Sequence, residues 1–167
     1  MSGPFVSAPM PVRPEWADYN GHLNMAYYHV LFDTALDVVL EPLGLGPEVA
    51  RDTSQSVFTA QAQIHYLREL NIGDSVTVET RLIAHDAKRL HYVQTMRHAE
   101  GWVAAINEAL VLHVDLTTRR VTRWSPEVEA RIADTVTAHA PLPLPEQVGR
   151  RISLPAAERR RPVLRRP

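Results

Sequence analysis

Between residues 28 and 43 the apolar positions Tyr28, Leu31, Phe32, Ala35, Leu36, Val39 and Leu43 recur at steps of three and four. That period places them on one stripe of a helix rather than one face of a strand. Asn24 stands just before the run, where a side-chain oxygen can accept from the unpaired amides of a first turn. Pro42 and Gly44-Leu45-Gly46 stop it. With an almost wholly apolar stripe, this helix is expected to be buried against a sheet.

The rest of the pattern alternates with period two. In Val57 to Leu67, Phe58, Ala60, Ala62, Ile64 and Tyr66 oppose Thr59, Gln61, Gln63 and His65. Beyond a turn at Asn71-Ile72-Gly73-Asp74, Val76, Val78, Thr80 and Leu82 oppose Thr77, Glu79 and Arg81. A further turn at His85-Asp86-Ala87 leads to Leu90, Tyr92, Gln94 and Met96 opposite His91, Val93, Thr95 and Arg97, and Val103 to Asp115 follows Glu100-Gly101. Short turns between such runs predict antiparallel hairpins. The proline-rich start, Pro4 to Pro14, reads as extended, with a short strand around Val12 that delivers Asp18. Pro47 to Gln55 is polar and reads as a loop. Ser125-Pro126-Glu127 opens a short helix through Val136, with Ser125 as its cap.

One strand, one long helix and then four strands is an α+β arrangement: an antiparallel five-stranded sheet wrapped around one long central helix, a short C-terminal helix and a loose tail. At 167 residues the chain holds one domain, taken as 1–138. In the Pro/Arg-rich segment 139–167, with Arg150, Arg151, Arg159, Arg160, Arg161, Arg165 and Arg166, little is left to bury. A long strand left open at a sheet edge would be an aggregation hazard in a monomer, so a homo-oligomer is expected.

Charge and composition remove several function classes. A formal net charge of −1 gives no field for nucleic acid or a membrane surface. With no cysteine, disulfides, thiol nucleophiles and thiolate metal sites are excluded together. No secretory leader or membrane span is legible, and a cytoplasmic location is the expectation. The histidines and acids form no compact metal-ligand spacing, Gly44-Leu45-Gly46-Pro47 is no dinucleotide loop, and Gly-x-Ser-x-Gly is absent. No metal or redox cofactor is expected.

Polar chemistry is concentrated in Trp16-Ala17-Asp18-Tyr19-Asn20-Gly21-His22-Leu23-Asn24, immediately before the long helix. A helix start collects unpaired amides and partial positive charge, which suits a reaction developing negative charge on oxygen. Asp18 and His22 set an acid or base beside such an oxyanion site, with the backbone amides of Met25, Ala26 and Tyr27 as donors. Each residue also has an ordinary role: Asp18 as a turn cap, His22 as a packing histidine, Asn24 as the helix cap.

Asp-x-x-Gly-His-x-Asn followed by an aromatic-rich helix resembles the first-strand-to-helix turn of hotdog-fold thioesterases, the group that includes 4-hydroxybenzoyl-CoA thioesterase. Further along, Tyr66-Leu67-Arg68-Glu69-Leu70 with Gly73-Asp74, Ala87-Lys88-Arg89-Leu90-His91, and Asn107-Glu108 with His113-Val114-Asp115 resemble a bacterial subgroup of which some members act on betainyl-CoA. The resemblance covers roughly residues 10 to 125. It implies the hotdog fold, a homodimer or homotetramer with active sites between subunits, an acyl-CoA substrate, and CoA as part of that substrate rather than a cofactor.

On this resemblance Asp18 is the general base or the nucleophile, and His22 and Asn20 assist, Asn20 resembling the carboxamide of related acyl-carrier-protein thioesterases. The rim cations Arg68, Lys88 and Arg89 are candidates for CoA phosphates. Trp16, Tyr19, Tyr27, Tyr28, Phe32 and Trp102 are candidates for an aromatic pocket, which would favour a quaternary ammonium acyl group. Glu108, if turned inward, is a second carboxylate facing the helix start. An enoyl-thioester hydratase or a non-catalytic acyl-CoA binding module are the alternatives, since this fold hosts several chemistries.

Overall fold

The computed structural model describes residues 3–154. The long helix α1 runs Met25–Leu43 and buries Tyr28, Leu31, Phe32, Ala35, Leu36, Val39, Leu40 and Leu43, the expected stripe with one addition. Asn24 caps it, its side chain accepting from the Ala26 amide at 3.0 Å. Gly44, at φ 78°, ends it in the left-handed conformation that glycine takes without a Cβ penalty. Pro42 is tolerated inside the last turn.

The sheet that packs on α1 has the order β1-β4-β5-β6-β3, antiparallel in every pairing, with β2 also on β4 and β7 (Arg120–Val121) on β6. The long strands are β3 (Gln55–Tyr66), β4 (Ser75–His85), β5 (Arg89–His98) and β6 (Val103–Asp115). The fifth position is split into β1 (Phe5–Val6) and β2 (Met10–Pro11), separated by Pro9, whose ring cannot donate to the ladder. The pairing continues through Val12, whose amide donates to the Asp74 carbonyl at 2.8 Å and whose carbonyl accepts from the Gly73 amide at 2.9 Å, in keeping with the short strand expected around it. Two apolar clusters fill the space between sheet and helix, one around Leu31, Met96 and Leu70, the other around Val39, Leu82 and Leu90.

Three expectations are corrected. The stretch read as a loop after α1 contains α2 (Pro47–Thr53), too short to show a period. Strand β3 carries a bulge between Thr59 and Gln61. The extra residue reverses the faces on either side of it. Ile64 packs into the core as expected, whereas before the bulge Val57 is the inward residue and Phe58 is 44% exposed. The third correction concerns the segment after α3 (Pro126–His139). Instead of hanging loose from residue 139, it crosses the outer face of the sheet up to the edge strand. Gln147 is buried, the Gly149 amide donates to Glu108 Oε2 at 2.7 Å, and Gln63 Nε2 donates to the Arg150 carbonyl at 2.8 Å. Leu142 and Leu144 roof a cavity of about 440 Å³ over Val93, Thr95 and Ile106. The arginines from 159 onward lie outside the described residues.

His139 fastens the start of this strap. It is buried; its Nδ1 accepts from the Leu82 amide at 3.0 Å and its Nε2 faces the Gly3 carbonyl at 2.9 Å. Only the neutral imidazole with its proton on Nε2 satisfies both partners. Burial pushes its pKa down, and Arg81 adds to the shift. Burial likewise lowers His113. With folded-state pKa values below the ordinary histidine value of about 6.5, this stability is fully present above that pH and is lost as pH falls below it. Urea unfolding should therefore give a lower stability at pH 5.5 than at pH 7.5, and His139→Gln, which cannot titrate, should narrow the gap.

Candidate active site

The polar turn is closed by its own backbone. Ala17 and Leu23 form an isolated bridge, the Asp18 amide donates to the His22 carbonyl at 2.9 Å, and the Gly21 amide returns to the Asp18 carbonyl at 3.1 Å. Gly21 sits at φ 83°, a conformation that a side chain would strain. Inside this loop Asp18 Oδ1 accepts from the backbone amides of Asn20 at 2.8 Å and His22 at 3.3 Å. Among the described residues Oδ2 has only a long 3.4 Å contact from the Asn20 carboxamide. Partial desolvation pushes the Asp18 pKa up, but these donors together outweigh it and hold the carboxyl below its ordinary value. Asp18 is thus ionised at neutral pH, with one oxygen tied down and the other open.

His22 supports Asp18 through its backbone and not through its ring. The imidazole turns toward Glu69, Nδ1 to Oε2 3.4 Å, because His22 bridges to Asn71 and brings the chain after β3 alongside the turn. The sequence pattern gives no sign of Glu69 at this site, since a contact between distant segments leaves no mark in spacing. Asn20 is exposed, with its carboxamide over Asp18.

At the start of α1 the three expected oxyanion donors are not equivalent. Ala26 is taken by the Asn24 side chain and Tyr27 by the Asn24 carbonyl at 3.0 Å. The Met25 amide is the one left without an acceptor among the described residues. Asn24 is therefore a cap, and of the three candidate donors Met25 alone keeps a free amide among the described residues.

The aromatic residues gather in three places. Trp16 stacks on Tyr27 with centroids 5.3 Å apart, under Arg13. Tyr28 is buried and meets Tyr66 edge-on at 5.1 Å, and the Tyr66 hydroxyl reaches the Met25 carbonyl at 3.5 Å. Trp102 lies between His98 and Arg68. Phe32 is in the core, and Tyr19 is 97% exposed, so the expected single aromatic pocket does not form within one chain.

Arg68 lies at the Asp18 end of the sheet, its guanidinium 4.0 Å over Trp102. Lys88 and Arg89 lie at the other end of β4, about 30 Å away along a strand rising ~3.3 Å per residue. Arg89 is committed to Asp86, Nε to Oδ2 2.7 Å, and this bond lowers the Asp86 carboxyl to about 2. Glu108 does not face α1. Period-two alternation gives the inward place to Asn107 and turns Glu108 to the outer face, where His91 Nε2 stands 2.8 Å from Oε1 and the strap amide of Gly149 binds Oε2. Among the described residues no three histidine or acidic side chains cluster closely enough to hold a metal ion. No described helix is long and apolar enough to cross a membrane.

Compared with known proteins, residues 12–132 match the thioesterase-like superfamily. The chain belongs to it. This thioesterase is 39% identical over 160 residues to the betainyl-CoA thioesterase of Pseudomonas aeruginosa, covering 93% of this chain and 98% of that one. It is 33% identical to the L-carnitine dehydrogenase/betainyl-CoA thioesterase of Ruegeria pomeroyi, covering 93% of this chain but 32% of that longer protein. A Staphylococcus aureus protein solved in complex with CoA superposes with a TM-score of 0.84 at 28% identity, covering 91% of this chain and 96% of that one. The hotdog architecture and thioester hydrolysis inferred from the polar turn agree with these relatives.

Proposed function

We propose that this thioesterase hydrolyses a small or medium acyl-CoA to the free acid and CoA, with Asp18 as the reacting carboxylate. The observation that supports it most is the ionised Asp18, whose Oδ2 is open beside an α1 start with one uncommitted amide. Oδ2 acts on the thioester carbonyl, either by direct attack to give a mixed anhydride that water then opens, or by taking a proton from the attacking water. In both routes the C–S bond breaks, one water is consumed, and the thiolate leaves and is protonated; the water oxygen joins the acyl carbon in the general-base route, and either the acyl carbon or the Asp18 carboxyl carbon when the anhydride is opened. The Met25 amide meets the oxyanion, aided by the partial positive charge of the helix start. Asn20 and the His22 backbone hold the carboxylate, and the His22 ring with Glu69 forms the wall beside it. The route written here uses water and the chain's own groups, with no metal or redox cofactor.

The active unit is a homodimer or a higher homo-oligomer. Among the described residues β3 is paired only with β6, leaving a twelve-residue strand open along its other edge. Exposed Tyr19, Met25, Val30, Val38 and Phe58 are apolar surface that a second copy would cover. Arg68 is the cation placed to meet CoA phosphates at this end of the sheet.

Betainyl-CoA is the leading substrate, supported by the 39% relative and its fused counterparts. Free-thiol release from a panel of betainyl, short straight-chain and aromatic acyl-CoAs tests the activity: turnover of at least one is expected. Tight binding of all without thiol release would move the protein to a binding role, and loss of enoyl absorbance from crotonyl-CoA without thiol would move it to hydration.

A further inference from the structure

Helix α1 and strand β3 run side by side in opposite directions, and the groove between them begins at the proposed oxyanion amide, where Tyr66 reaches the Met25 carbonyl. Further along α1, Thr59 and Ala62 face His29 and Asp33 across a cavity of about 50 Å³ floored by Tyr92 and Asn107. A second cavity of about 360 Å³ continues from it, sharing Asp33 and Thr59 and adding Asp37.

One wall of the first cavity carries an unmatched polar atom. Gln94 Nε2 donates to the Phe32 carbonyl at 2.9 Å, and Asn107 Nδ2 donates to Gln94 Oε1 at 2.9 Å. Because a carbonyl can only accept, this relay fixes both carboxamide orientations. It leaves Asn107 Oδ1, in a residue only 4% exposed, without a donor among the described residues. An orphaned buried acceptor costs about 1–3 kcal/mol, so its presence marks a place made to meet something else. The charged groups on the cavity walls are the carboxylates Asp33 and Asp37, with His29 the one titratable base.

Resting on the thioesterase reading above, we infer that this pocket selects an acyl group bearing a quaternary ammonium. Asp33 is the counter-charge, Tyr92 supplies an aromatic wall of the cavity, and Asn107 Oδ1 meets the polarised methyl groups, which bring no N–H donor of their own. The spacing fits a short spacer. Asp33 follows Met25 by eight residues, about 12 Å along the axis at ~1.5 Å per residue, and its side chain leans back toward the helix start. A hydrogen bond of about 3 Å at Met25 and an ion contact of about 4 Å at Asp33 leave a few ångströms between carbonyl and cation. That is the length of a single methylene, as in a trimethylammonioacetyl (betainyl) thioester.

The test compares betainyl-CoA with its neutral carbon isostere, 3,3-dimethylbutanoyl-CoA, on wild type, Asp33→Asn, Asp33→Glu and the remote control Asp134→Asn. The expected result is a kcat/KM preference of at least about tenfold for the cation in wild type, carried mainly by KM. Asp33→Asn should lose this preference, its effect falling at least about tenfold harder on betainyl-CoA than on the isostere, Asp33→Glu should recover part of it, and Asp134→Asn should leave it unchanged. Free glycine betaine should inhibit wild type and not Asp33→Asn. Equal loss of both esters in Asp33→Asn, or no wild-type preference, overturns the inference. Hydrolysis of acetyl-CoA alone overturns it while leaving the thioesterase reading intact. No thiol release from any ester, with the protein folded, overturns the thioesterase reading and this inference with it.

Discussion

Asp18→Asn is expected to lower kcat by about 100- to 10,000-fold, with little change in folding stability. The distinction arises because the two functions of this side chain sit on different oxygens. An asparagine carbonyl can still accept from the Asn20 and His22 amides that now bind Oδ1, so the turn persists. The open position at Oδ2 becomes a neutral NH₂, which neither attacks a thioester nor takes a proton from water. The wild-type pH profile follows from the same bonds. The protonated carboxyl is inactive, so the rate falls as pH drops through its pKa, and that pKa is held below its ordinary value. The acid limb should therefore lie below about pH 4, with a flat rate from there toward neutrality. Thiol-release rates across pH on both proteins check this, with circular dichroism to establish that the variant is folded. A folded Asp18→Asn protein at full rate would end the proposed mechanism. Single-turnover hydrolysis in ¹⁸O-labelled water tests the anhydride route: label in the carboxyl of Asp18 establishes that an anhydride forms and that water opens it on the enzyme's side.

The largest stability effect is expected at Phe32. It is 2% exposed, sits midway along α1 among Leu31, Ala35 and Met96, and its carbonyl takes the Gln94 bond that orders the Asn107 relay. Phe32→Ala should cost about 3–5 kcal/mol in urea unfolding, a large share of the ~5–15 kcal/mol that holds a domain together. Phe32→Leu, closer in volume, should cost less than half as much. If the alanine variant loses under about 1 kcal/mol, α1 is not the packing centre described above.

What was legible in the sequence was whatever repeats. Seven apolar residues at helical spacing located α1 and the face it buries, and clean alternation assigned both faces of β4 and β5. Singular events were not legible. Residue spacing does not register the extra residue at the β3 bulge, so alternation puts Phe58 inside although it is exposed. The seven residues of α2 are too few for a period, and spacing gave no sign of the second short pairing, Phe5–Val6, that precedes the strand around Val12. In the candidate site, local elements were readable because their partners are neighbours in sequence: Asp18 in its turn, Asn24 as a cap. Glu69 beside His22, and Glu108 held by the strap, depend on which distant segments the sheet brings together. Proline and arginine content also misled, since it described the strap's solubility and not the apolar ledge over Val93 and Ile106 that it covers.

The bulge in β3 bears on how selective its open edge is. A straight twelve-residue edge would be a reading frame that any extended peptide could follow. The inserted residue divides it into two frames, one before Thr59 and one after Gln61. A foreign strand in phase with the first half meets the second half out of phase, with amides opposite amides and side chains on the wrong side. The kink thus proofreads what may add to this edge, passing a strand cut to match and stalling the open-ended growth that a flat edge invites.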